Sequence, residues 1–139
     1  METERLIIDR LKETDKDDYF LNISHDRNVL KTFMCVYCET PDELDFTSYP
    51  ERKNIFAIRL KETGRLIGII LYHDEGDGSC EIGYGIGSSH WNRGYTTEAA
   101  KEFIKYCLDV LGHPPPPPNA TILELAFNIH ILGVYSLKH

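Results

Sequence analysis

The sequence has no long hydrophobic run. Its longest, Leu66 to Tyr72, is seven residues and is interrupted by Gly68, where a bilayer-spanning helix needs ~20. With no apolar stretch of signal type at the start, we expect no membrane segment and a cytoplasmic location. Cysteine is scarce: Cys35, Cys38, Cys80 and Cys107 are scattered among apolar residues, which excludes a disulfide scaffold. Basic residues are in deficit, 15 Lys and Arg against 22 Asp and Glu, for a net charge of −7. That field repels nucleic-acid phosphates on average and suits a cationic small partner better. The six histidines are dispersed, no second Cys/His pair answers Cys35-Val36-Tyr37-Cys38, and the acidic stretch Asp74 to Gly78 lacks the glutamate that closes a calcium loop. No metal is expected.

What is present is enough for one core. At 139 residues with 42% hydrophobic composition, a single domain is expected. Arg5 to Leu11 reads as an opening strand, and Glu13 to Ser24, with Tyr19, Phe20 and Ile23 at helical spacing, as a helix. The pattern breaks from His25 to Lys53, where short helices and loops are expected, and its acidic residues Glu39, Asp42, Glu43 and Asp45 read as a solvated face. Ile55 to Leu60 and Leu66 to Tyr72 flank a turn in which Gly64 can take positive φ, and Cys80 to Ile86 adds a third strand to this meander. After a loop from Gly87 to Gly94, the residues Ala100, Phe103, Ile104, Cys107, Leu108 and Leu111 make one helical stripe that Gly112 ends. Pro114 to Pro118 must be an extended connector, Ile122 to Phe127 reads as a strand, and a short helix runs from Asn128 through Lys138.

The chemically informative unit is the strand, loop and helix from Gly83 through Ala99. Unpaired N–H groups at a helix start, next to the positive end of its macrodipole, form an anion site that Gly94 lets a phosphate approach and to which Arg93 adds charge. The alternative is that the glycines only permit a turn and the threonines only cap the helix. A Rossmann fingerprint fails because His90 stands where a third glycine is needed, and a P-loop fails at Gly94-Tyr95-Thr96.

Glu81-Ile82-Gly83-Tyr84 followed by Trp91-Asn92-Arg93-Gly94-Tyr95-Thr96-Thr97-Glu98-Ala99 resembles the acetyl-CoA loop of GNAT N-acetyltransferases, most closely the RimJ/RimL-like branch. The resemblance extends to Glu4-Arg5-Leu6-Ile7-Ile8 and Asp15 at the start and to Leu125 through Tyr135 near the end. It implies an α/β fold of the α+β type, a mixed, mostly antiparallel sheet splayed between its fourth and fifth strands and flanked by helices. Acetyl-CoA would enter that split, its pantetheine arm pairing with the main chain near Ile86 and its pyrophosphate resting on the amides of Trp91, Asn92, Arg93, Gly94, Tyr95, Thr96 and Thr97. Asn128 and Tyr135 are two helical turns apart and share a face. By resemblance Asn128 would bond the pantetheine arm, and Tyr135 would be the acid that protonates the departing thiolate.

Direct attack of an amine on a thioester needs a neutral nitrogen, a stabilised oxyanion and an acid for sulfur. Glu81, a lone carboxylate on an otherwise small or apolar strand beside the split, is the candidate base, or else a structural acceptor. It is out of phase with Tyr84, and His73 is the weaker candidate. Glu98, in the first helical turn, reads as a cap or a dipole complement. Asn92 stands where the family usually has Gly, and Thr96 where it has Gly or Ala. The family also continues past the tyrosine helix with two more strands; their lack points to a homodimer in which a partner covers the open edge, or to a truncated chain of low activity. The expected function is acetyl transfer from acetyl-CoA to a primary amine, a protein N-terminus or small amine. The alternative is a catalytically weak CoA-binding module of the same fold.

Overall fold

Strands form where the chain is continuously apolar, because both faces of the sheet are covered. The computed structural model describes residues 1–33, 35–74, 76, 80–110, 112, 114 and 118–121. In it β1 (Leu6–Arg10), β2 (Ile55–Leu60), β3 (Leu66–Asp74) and β4 (Cys80–Ile86) form one sheet in sequential order, each pair antiparallel. The β2–β3 turn closes as expected: Gly64 has φ 71° and its N–H donates to Leu60 O at 2.8 Å.

One face of the sheet packs on α2 (Tyr95–Val110). Ile8, Ile58, Ile70, Ile82 and Ile86 meet the helix stripe Ala99, Phe103, Ile104, Cys107 and Leu108. The other face, carrying Ile55, Ala57, Leu66 and Ile69, is covered by Tyr19, Ile23 and the segment 25–53. That segment folds as three short turns, Val29–Lys31, Pro41–Glu43 and Tyr49–Glu51, in line with its broken pattern.

The helix expected over Glu13 to Ser24 is composite. A 3-10 turn (Glu13–Asp15) leads into α1 (Lys16–Tyr19), and the chain then widens into a π turn (Phe20–Ser24). Asn22 supplies the reason. Its side-chain N–H donates to Asp18 O at 3.1 Å, the carbonyl its own main-chain amide would take in an α-helix, and also to Leu66 O at 3.0 Å. Inserting a side chain into the ladder opens the turn.

Beneath this helix Arg59, 6% exposed, donates twice to Asp15 (2.6 and 2.7 Å) and once to Asp9 (2.7 Å), bolting β2 to β1 and to the helix entrance. The expected strand at Ile122 to Phe127, the helix from Asn128, Leu111 and most of the proline run lie outside the described residues.

Candidate functional site

The site is assembled where β4 runs out. Gly87 N–H donates to Ile67 O at 2.9 Å, and Ile86 lies opposite Gly68. In an antiparallel ladder the polar groups alternate in direction, so Ile82, Tyr84 and Ile86 turn their N–H and C=O away from β3. Among the described residues no strand pairs with that outer edge. Trp91 folds back over it, its indole N–H donating to Ile86 O at 2.7 Å. Ile86 therefore offers its N–H along the edge, while its carbonyl already holds one donor.

From Gly87 the chain makes a 3-10 turn (Ser88–His90) and then reaches Asn92 at φ 63° and Gly94 at φ 81°. Asn is the non-glycine residue that best tolerates the left-handed region, so it supplies the conformation the resembled loop obtains from glycine. At Gly94 the positive φ itself calls for glycine, and a Cβ there would also lie 3.3 Å from the Arg5 guanidinium, a tight contact from which that side chain would have to shift. The α2 ladder opens with Glu98 N–H donating to Gly94 O at 3.1 Å. The amides of Asn92 through Thr97, ahead of that bond, have no partner among the described residues. Thr96, in this first turn, has a buried hydroxyl, and it too has no partner among the described residues. A row of open amides, two left-handed residues and an orphaned hydroxyl at a helix start fit a phosphate-bearing ligand.

Arg5 is the residue the sequence reading missed here. Its Nη1 donates to Arg93 O at 2.8 Å, its guanidinium lies 4.3 Å from the Tyr95 ring centre, and its Nε pairs with Glu98 at 2.8 Å. Glu98 also accepts from the Arg5 amide at 2.9 Å and from the Thr3 hydroxyl. Burial raises the Glu98 carboxyl, but the bonds from Thr3 and Arg5 outweigh it and hold the group below its ordinary value. Glu98 thus ties β1 to α2 rather than capping the helix through its own amides. The only sequence signal was an acidic residue in a first turn, which does not name a partner 93 residues away. Burial, and after it the nearby Arg93 cation, push the His90 imidazole below its ordinary value.

Glu81 and Tyr84 face opposite sides of β4, as expected from their spacing: Tyr84 packs in the α2 layer, where burial raises its phenol. The ladder places His73 directly opposite Glu81, so the two base candidates share a face. Asn128 and Tyr135 lie outside the described residues. On the Glu81 face, one strand in from the outer edge, a cavity of about 480 Å³ opens between β3 and the segment 25–53. Among the described residues no cluster of three or more His, Cys, Asp or Glu side chains is arranged to hold a metal, and no helix is long and apolar enough to cross a membrane.

Residues 5–130 match the family model of the acetyltransferase (GNAT) domain. The chain belongs to the GNAT acetyltransferase family. Like this GNAT chain, the uncharacterized N-acetyltransferase YoaA of Bacillus subtilis matches at length: 28% identity over 121 residues, 81% of this chain and 68% of YoaA. The uncharacterized N-acetyltransferase p20 of Bacillus licheniformis is 40% identical over 55 residues, 38% of this chain and 31% of p20. The fold is similar to that of a GNAT-family acetyltransferase from Bacillus anthracis, with a TM-score of 0.67 at 25% identity, covering 81% of this chain and 68% of the other.

Proposed function

We propose that this GNAT protein transfers an acetyl group from acetyl-CoA to a primary amine, a protein N-terminus or a small amine, by direct attack in a ternary complex. The observation that carries the reading is the run of amides from Asn92 to Thr97, open among the described residues, beside the outer edge of β4, with which no described strand pairs, in a chain of acetyltransferase family. Trp91 to Ala99 resembles the loop of the RimJ/RimL-like branch apart from Asn92 and Thr96, and we assign the chain to that branch.

When bound, acetyl-CoA supplies an activated thioester. The chain's own residues do the rest. The amides of Asn92 through Thr97, with Arg93, hold the phosphates, and the N–H groups along β4 near Ile86 align the extended arm. Trp91 fixes the end of that strand through Ile86 O. Glu81 takes the proton the acceptor nitrogen gives up, directly or through water. Tyr135 donates the proton to sulfur, and Asn128 steadies the arm.

A thiol-release assay with acetyl-CoA against peptides and small amines tests the proposal. Release with one acceptor class supports it, and Tyr135→Phe then lowers kcat sharply with little change in acetyl-CoA binding. If acetyl-CoA binds but Tyr135→Phe changes nothing and no amine is acetylated, the protein is a CoA-binding module of the same fold.

A further inference from the structure

The acceptor's chemistry is written in the cavity over β3. Its base is apolar and fully buried: Tyr19, Ile55 and Ile69 are 2%, 5% and 1% exposed. Phe33 and Leu44 close it from the segment 25–53, and half-buried Leu71 extends it toward β4. Leu71 lies opposite Gly83, two residues from Glu81 and on the same face, so the cavity ends one strand spacing, ~4.8 Å, from the outer edge of β4.

Among the described lining residues charge stands only at the mouth, on exposed Glu43, Asp45 and Arg52, and each of these groups already has a partner in the protein. Glu43 accepts from the Glu39 amide at 2.6 Å, Asp45 from the Thr47 hydroxyl at 2.7 Å, and the Arg52 guanidinium rests 4.8 Å from the centre of the Tyr49 ring. The polar groups within, among the described residues, are the phenols of Tyr19, bonded to Cys35 Sγ at 3.5 Å, and of Tyr49, and the thiols of Cys35 and Cys38. A flexible polycation entering this space would leave ammonium groups against hydrocarbon, with no buried carboxylate among the described lining residues to receive them. An uncharged ring or branched aliphatic body loses only water. About 150 Å³ is enough for benzene, so 480 Å³ accommodates a body larger than a single ring.

We infer that the acceptor is a primary amine carried on an apolar, ring-sized body, which this cavity holds while the nitrogen reaches Glu81 and the β4 edge. The inference rests on the acetyl-transfer reading. The nitrogen lone pair forms the C–N bond to the acetyl carbon, the C–S bond breaks with its electron pair leaving on sulfur, and the nitrogen's proton passes through Glu81 while sulfur gains one. An amide and a free thiol result.

The test uses the full chain with 2-phenylethylamine, a short peptide with N-terminal Phe, and spermidine. The aromatic acceptors are expected to exceed spermidine in kcat/KM by about tenfold or more, and the stronger of the two arms tells a free amine from a chain terminus. Leu71→Glu lowers kcat/KM for the aromatic acceptor by about tenfold without altering acetyl-CoA binding. Val36→Glu, on an 80% exposed rim residue, gives a smaller loss in a variant whose folding is not at risk. Binding of 2-phenylethylamine to the CoA-loaded protein, weakened by Leu71→Glu, is read calorimetrically without turnover. Absence of that binding, or a preference for spermidine, overturns the inference. Binding without turnover of any amine overturns the acetyl-transfer reading instead and leaves the cavity assignment standing.

Discussion

Asn92 shows how a single backbone angle decides what a substitution costs. By comparison with the resembled loop it is a departure from glycine; at φ 63° it is the side chain that keeps the same path. Asn92→Gly is therefore expected to leave acetyl-CoA affinity unchanged, whereas Asn92→Val costs about 1–2 kcal/mol in denaturant titrations and raises the Kd for acetyl-CoA. Trp91 donates its indole N–H to Ile86 O. Replacing it by Phe keeps the apolar contact and removes the donor, which predicts an affinity loss of about tenfold for acetyl-CoA, the equivalent of ~1.4 kcal/mol. Both residues were legible as binding candidates because they sit in a local motif. Arg5 was not, because its partners Arg93 and Glu98 come from the far side of the sequence.

Among the elements, the joint between β1, β2 and the composite helix depends on the buried Arg59–Asp15 pair and the partly exposed Asp9. Removing Asp15 takes two of the three carboxylate bonds from the buried Arg59 guanidinium and leaves it only the partly exposed Asp9, so Asp15→Ala is expected to destabilise the fold by about 3 kcal/mol, read by equilibrium unfolding. Burial raises the Asp15 carboxyl, but the Arg59 bonds and the Lys12 amide lower it further, and the net direction is downward from the ordinary 3.8. A carboxyl depressed in the folded state contributes stability above its unfolded value and loses it as pH falls through the folded one. Unfolding midpoints should hold at neutral pH and begin to drop below about pH 4, and that acid-limb drop should be smaller in Asp15→Asn. Strand positions were readable because apolar runs bounded by turns need no long-range information: β2 and β4 begin and end where the sequence reading put them. The π turn was not, since it depends on Asn22 reaching Leu66, 44 residues away.

At the scale of the whole molecule, a net charge of −7 coexists with a locally positive helix start, because Glu98 is neutralised by Arg5 while Arg93 and the open amides meet no carboxylate among the described residues. Average charge therefore says little about this ligand. The cavity was invisible in the sequence for a related reason: Phe33, Leu44 and Leu71 belong to no common periodicity and meet only after the segment 25–53 has folded across the sheet. The central claim is that main-chain nitrogens ahead of α2 grip the phosphates of the acyl donor. Its most direct test is to titrate the protein calorimetrically with acetyl-CoA and with acetylpantetheine, which lacks the phosphates. The account predicts that acetyl-CoA binds at least about a hundredfold more tightly, as two or more charge-assisted bonds require; equal affinity for the two, or no binding of acetyl-CoA, would contradict it.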